Sequence, residues 1–486
     1  MIIAVSTTTS VNGLRAQHAW AGRTTQVKDN LEHRVSRVEN GLMPSVIITN
    51  QPAAAMNIAE RMKFYKTPGV SITVINNGKI EWARGYGVKT TGSDEKITPE
   101  TLFQAASISK PVAAIAALRL AEKGKLNLDA DVNERLVTWK VPENEFSQQK
   151  KVTLRALLSH GSGLTVHGFR GYAMSEQVPT LVQILNGEKP ANSAPIRVDI
   201  TPGTLWRYSG GGFTVYQQLI QDVTQKPFSV LMRNMVLKPI GMRHSTYEQP
   251  LPKKLQSSAA SGHDANGKTI AGNFHVYPEM AAAGLWTTPS DLALFAIEVQ
   301  KSFSGKSDKL LSQKMGEQLL TVQKGEWGLG LRLSGKDDAE RFGHNGANEG
   351  FQCLMIASKR TGQGAVVMTN SDNGGQLARE ILFAIAQEYG WADLAPVEKK
   401  IAKIDPGIYD GYVGQYEISP TLVVSVTREG DKLFASVAGQ HIELFSESDA
   451  KFFTLSDSTV EFVKDEATGN VTHLLLNKTN RAKKIK

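Results

Sequence analysis

The chain has one cysteine among 486 residues, Cys353. It can form no internal disulfide and no thiolate metal site. Its place in an apolar strand pattern makes it an inert core residue. No stretch approaches the ~20 apolar residues that a membrane-crossing helix needs. The ten histidines show no zinc-ligand spacing. Neither a Gly-x-Ser-x-Gly elbow nor a Gly-x-Gly-x-x-Gly loop is present, which removes the usual α/β-hydrolase and dinucleotide-binding readings. Internal repeats and low-complexity segments are absent too. The net charge of +8 is scattered, apart from the closing Arg481, Lys483, Lys484 and Lys486, so it reads as solubility and not as nucleic-acid binding. The opening MIIAV is too short for a signal h-region and lacks a basic n-region, which leaves the compartment open.

Hydrophobic residues make up 41% of the chain, enough at this length for two or more folded units. The stretch from Ala105 to Leu126 organises the rest. Ser107 and Lys110, three residues apart, lie one turn apart on the same face of a helix, so the amine can reach the serine oxygen. Pro111 follows, and proline belongs in a helix's first turn, where its missing N–H costs nothing. Ser107 is therefore expected at the helix's amino-terminal end, where free N–H groups favour developing negative charge. Val112 to Ala121 is apolar nearly all round apart from Arg119, the pattern of a central buried helix, and it ends at Gly124. Spacing alone is weak, because chance supplies about two or three serine-lysine pairs of this kind in such a chain. Of the four present, Ser93/Lys96 and Ser147/Lys150 fall in polar segments and Ser448/Lys451 in a strand-rich region. Only Ser107/Lys110 opens a buried helix.

In chain order, Met1 to about Asn50 is polar and weakly patterned and reads as an arm or leader remnant. Apolar spacing predicts a helix over Ala53 to Lys66, closed by Pro68. Gly69 to Ile75 and Ile80 to Val88 flank Asn77-Gly78, a strong type I′ hairpin signal. After Leu126 the chain becomes mostly helical and loop-rich, with a short helix before the turn at Gly161 to Leu164, a turn at Pro202-Gly203 and a helix over Phe213 to Thr224. Strands return at Phe351 to Ala357 and Ala365 to Thr369, and Leu377 to Tyr389 is a closing amphipathic helix. Pro396 to Pro406 reads as a charged linker. The short alternating runs beyond it predict a small β-domain. The expected division is an arm (1–50), a main domain (51–395), a linker (396–406) and a β-domain (407–486).

An ordered set of motifs carries a family resemblance. Ser107-Ile-Ser-Lys110 is followed by Leu157-Leu158-Ser-His160-Gly-Ser162-Gly163-Leu164, by Pro202-Gly203 with Tyr208-Ser-Gly210, and by His344-Asn345-Gly346. Together these resemble the serine β-lactamase and penicillin-binding-protein superfamily over roughly residues 50 to 390, most closely its class C and D-peptidase/esterase branch. The resemblance implies an α+β fold, an antiparallel sheet with helices on both faces and a mainly helical subdomain, with the site between them. A small antiparallel barrel like the lipocalin-like domain of some relatives would follow. It also implies that Ser107 is an acyl-forming nucleophile and that Lys110 and Tyr208 move its proton. The backbone N–H groups of Ser107 and Ala347 would form the oxyanion hole, and His344, Asn345, Gly346 and Gly210 would meet the substrate. No metal or cofactor is needed for such chemistry. The implied partner is a small ester, amide or short peptide, and the implied location is the periplasm or outside the cell. His160 and Ser162 match the family's structural turn.

Two departures stand out. The family's Tyr-x-Asn is Tyr208-Ser209-Gly210, which lacks the amide that contacts an acyl-side carbonyl. The third motif carries His344 in place of a lysine that pairs with a substrate carboxylate, and a histidine is mostly neutral at pH 7. Both shift the expected substrate toward uncharged esters and amides. A β-lactamase or carboxypeptidase, and a catalytically idle binding protein, remain the alternatives.

Overall fold

A computed structural model describes residues 30–51, 55–391, 393–419, 422–437 and 440–486. The β-branched run at Gly69–Asn76 (β1) pairs with Lys79–Gly87 (β2) as the hairpin signal predicts. Asn77 and Gly78 take φ of +52° and +69° between them, and a type I′ turn requires positive φ at both central positions. Arg332–Ser334 (β3), Arg341–Asn348 (β4), Phe351–Ser358 (β5) and Gly364–Thr369 (β6) complete a six-stranded antiparallel sheet in the order β2-β1-β6-β5-β4-β3. β1 and β6 are buried almost throughout, so both faces of the sheet must be covered.

Five long helices supply much of that cover and of the subdomain: α1 (Leu31–Glu39), α2 (Ser109–Glu122), α3 (Gly210–Thr224), α4 (Pro289–Phe303) and α5 (Gly374–Glu388). One core joins α1, α5 and the helix Ile58–Phe64 to Val70, Ile72, Val74, Ala365 and Val367. The other joins α2, α3 and α4 to Ile75, Cys353, Met355, Val366 and Met368. Along each strand, alternate residues enter opposite cores, the period-two consequence of the pleat. α2 is buried on every side from Ser109 to Leu118. Just past that stretch, Arg119 donates to the carbonyls of Met235 (2.7 Å) and Lys309 (2.8 Å). None of the described helices is long and apolar enough to cross a membrane.

Three differences from the sequence reading have local causes. The expected arm contains α1, whose Val35 and Val38 are buried against the main domain; its residues 1–29 lie outside the described residues, as do 53 and 54 of the expected helix over Ala53 to Lys66. The glycine run 210–212 begins α3, where Ser209 caps the helix by accepting from the Gly212 N–H at 2.9 Å. Close packing explains the glycines, since a Cβ on Gly211 would lie 2.5 Å from the Thr165 carbonyl oxygen. The expected linker contains Val397–Lys399, which pairs in parallel with Val46–Ile48.

Beyond it, eight strands from Gly414–Ser419 to Asn480–Lys484 close into an antiparallel barrel. Its interior is filled by side chains, with Tyr412 and Phe462 stacked at 4.3 Å. The Val46 N–H donates to the Leu455 carbonyl (3.0 Å), and Lys399 pairs with Asp457 at 2.9 Å. The barrel is thus fastened to the strand pair at the edge of the main domain.

Candidate active site

Ser107 sits in a 3₁₀ turn, Ala106–Ile108, that leads directly into α2. Ala106 has φ of +49°, a left-handed conformation unfavourable for alanine, so the turn is held by its surroundings. Lys110 lies on the first turn of α2 with Pro111 behind it. Its Nζ is 2.9 Å from Ser107 Oγ and donates to the Ala282 carbonyl at 2.8 Å. Burial lowers its pKa to about 7, since a buried ammonium loses its hydration. Near neutral pH a sizeable fraction of Lys110 is therefore an amine.

Burial raises the pKa of the Tyr208 phenol, and the neighbouring Ser107 offsets this only in part. The Tyr208 ring lies 5.0 Å from Lys110 Nζ and stacks on His160 at 4.2 Å. His160 is fully buried, and its Nδ1 accepts from the Ser209 N–H at 3.2 Å, so the neutral ring carries its proton on Nε2. The turn residue His160 thus backs the tyrosine. Gly210 is not brought to the cleft. A Cβ there would come 3.0 Å from both the His167 carbonyl oxygen and the Phe169 ring, so the 167–169 segment covers this position.

On β4, His344, Asn345, Gly346 and Ala347 border the cleft together with Ser107, Lys110 and Tyr208. His344 Nδ1 is 2.5 Å from the Asn345 carbonyl oxygen, which can only accept, so Nδ1 carries the proton and Nε2 is bare. Burial and the neighbouring Lys110 lower its pKa to about 3. It is a neutral imidazole at any working pH. Gly346 lets the Ser107 turn press against β4.

The cleft has a volume of about 810 Å³. Sequence reasoning missed its aromatic wall: His167, Phe169, Trp206 and Trp327 all border it. Trp327 lies 5.1 Å from His344 and 5.7 Å from Tyr208. The sequence WRYSGGG put Trp206 two residues before Tyr208, a signal available but unused. Trp327 and the Ala282 carbonyl come from distant segments and had no local signal. The described residues bordering the cleft end at Ile356, so none belongs to the barrel.

A family profile described as Beta-lactamase matches residues 54–389. The chain belongs to this family. Its members are serine hydrolases, and the matched span holds every residue described above. A second profile, described as a domain of unknown function (DUF3471), matches residues 398–485, the barrel region. Protein flp of Staphylococcus aureus (strain MRSA252) is 27% identical over 319 residues, 62% of this chain and 59% of that protein. The chain thus spans less than two thirds of that relative's length. A penicillin-binding protein of Bacillus subtilis (strain 168) is 25% identical over 422 residues, 82% of this chain and 90% of that protein. Among solved structures, the octameric penicillin-binding protein homologue from Pyrococcus abyssi superposes with a TM-score of 0.59 at 23% identity, covering 87% of this chain and 97% of that one.

Proposed function

We propose that the protein hydrolyses small uncharged esters or amides, short peptides included, through an acyl-enzyme on Ser107. The observation that carries this is the 2.9 Å contact between Ser107 Oγ and a buried Lys110 whose pKa is about 7. A serine hydroxyl needs a base held against it, and a lysine serves only when it is partly neutral. Burial acts oppositely on Tyr208, keeping its phenol protonated. Lys110 is therefore the acylation base and Tyr208 the proton donor.

Lys110 takes the hydroxyl proton as Oγ attacks the carbonyl carbon. The oxyanion is held by the N–H groups of Ser107 and Ala347. As the bond to the leaving group breaks, Tyr208 passes it a proton and recovers one from Lys110. Water then attacks the acyl-serine, its proton returns through the same pair to Oγ, and the acid departs.

The preference for uncharged substrates rests on the cations of the cleft. Among the described bordering residues the lysines and arginines are Lys110 and Arg332. Lys110 is engaged with Ser107, and Arg332 is held by Glu326 through contacts of 3.0 and 2.8 Å. His344 adds no charge, so a substrate carboxylate meets no free permanent cation. The test compares kcat/KM for a p-nitrophenyl ester, a D-alanine amide and a chromogenic cephalosporin, with intact-mass detection of the acyl-enzyme in the parent and in Ser107→Ala. The ester or the amide should exceed the cephalosporin, and labelling should vanish in the variant. A cephalosporin with the highest kcat/KM makes the protein a β-lactamase instead.

A further inference from the structure

The cleft holds one feature that the acyl-transfer reading does not use. Trp206 borders it with 40% of its surface exposed. A large aromatic left open in a concave site beside a nucleophile is surface that a ligand can cover, because indole is among the side chains that gain most from burial.

The ring is fixed from behind. It stacks on Trp327 with centroids 5.8 Å apart and planes 23° from parallel. Trp327, only 8% exposed, is in turn edge-on to His160 at 4.8 Å. Gly325 lies under the indole: a Cβ there would come 3.3 Å from Trp206 Cγ, and the residue has φ of +57°. A side chain at 325 would make the ring give way by a few tenths of an ångström and would strain the backbone. The result is a flat, immobilised platform, which a ligand can use without ordering it first.

Its electrostatics choose the ligand. Among the described residues bordering the cleft, the one carboxylate, Glu326, and the one guanidinium, Arg332, pair with each other at 2.8 Å. An ammonium on the platform would find no unpaired carboxylate, and a carboxylate no free guanidinium. A neutral ring needs neither.

We infer that Trp206 is a specificity-determining platform on which an uncharged aromatic or flat apolar group of the substrate stacks while its carbonyl is presented to Ser107. This deepens the acyl-serine reading and rests on it.

Four esters form the test: ethyl acetate, benzyl acetate, ethyl phenylacetate and benzyl phenylacetate, each assayed for kcat/KM with the full chain. Adding a ring on the acyl side, the alcohol side or both should raise kcat/KM by roughly tenfold, mainly through KM. The two single additions report which side of the carbonyl the platform serves. In Trp206→Ala the gain should collapse to less than about threefold, and in Trp206→Phe most of it should remain. Circular dichroism of the variants checks that the fold is kept, and the measure is a ratio within each variant, so a general loss of activity does not mimic the effect. No gain in the parent, or a gain that survives in Trp206→Ala, overturns the platform while leaving the acyl-serine reading intact. No turnover of any ester, with no label on Ser107 from a fluorophosphonate, overturns both.

Discussion

A Cβ on Gly346 would overlap the carbonyl oxygen of Ala105, one residue before the strained Ala106. The third-motif glycine is thus what lets the Ser107 turn rest against β4. Gly346→Ala should push the turn away by a fraction of an ångström or more. Acylation should fall about a hundredfold, the scale for an ~1 Å misplacement of a reacting group. Stopped-flow acylation with a p-nitrophenyl ester measures this, and a thermal melt should show the fold retained.

The rate of acylation should follow the neutral fraction of Lys110. It should rise tenfold per pH unit below about pH 7 and level off above. His344 and His160 add no step near neutrality, since burial keeps both neutral there. Lys110 also affects stability. Its folded pKa lies below the unfolded 10.5, so between those values the unfolded chain binds the extra proton and stability falls as the pH drops from about 10.5 to 7. Lys110→Met should abolish turnover and raise the Tm at pH 7, read by differential scanning calorimetry.

Glu279 shows the opposite linkage. Its carboxyl is fully buried, neither oxygen has a partner, and burial raises its pKa to about 8. The folded protein therefore holds a proton that the unfolded chain releases above about pH 4.5. Stability from this group is complete at low pH and is lost as pH rises to about 8. Glu279→Gln keeps the neutral shape without the titration. Its Tm should exceed the parent's at pH 8 by about 2 °C or more and match it near pH 4.5.

Phe462→Ala should separate the barrel from the chemistry. Removing a buried phenylalanine costs about 3–5 kcal/mol, and here it also removes the stack on Tyr412. The barrel's melting transition should move down while the acylation rate constant of Ser107 stays within about twofold. A tenfold loss of acylation would show that the barrel acts on the cleft.

The sequence carried the parts of this fold that depend on neighbours in the chain. Asn77-Gly78 fixed a hairpin because two positive φ values have few residue types to choose from. Ser107, Lys110 and Pro111 fixed a helix start because proline tolerates so few places. What stayed hidden depends on contacts between distant segments. The glycines at 210–212 look like a turn, and only the approach of Thr165 and Phe169 explains why they start a helix. For the same reason Gly210, expected at the substrate, is covered by residues 167–169. α1 was missed because its buried side is only Val35 and Val38, too little periodicity to stand out. The platform under Trp206 needs Gly325 and Trp327, more than a hundred residues away.

The parallel pairing of Val46–Ile48 with Val397–Lys399 sets the two ends of the main domain side by side, at the ~4.8 Å spacing of neighbouring strands. Mechanical load arriving along the chain from the carboxy-terminal side therefore meets the barrel and this short ladder of three residue pairs before the six-stranded sheet, whereas load from the amino-terminal side meets α1 and its packing on α5 first.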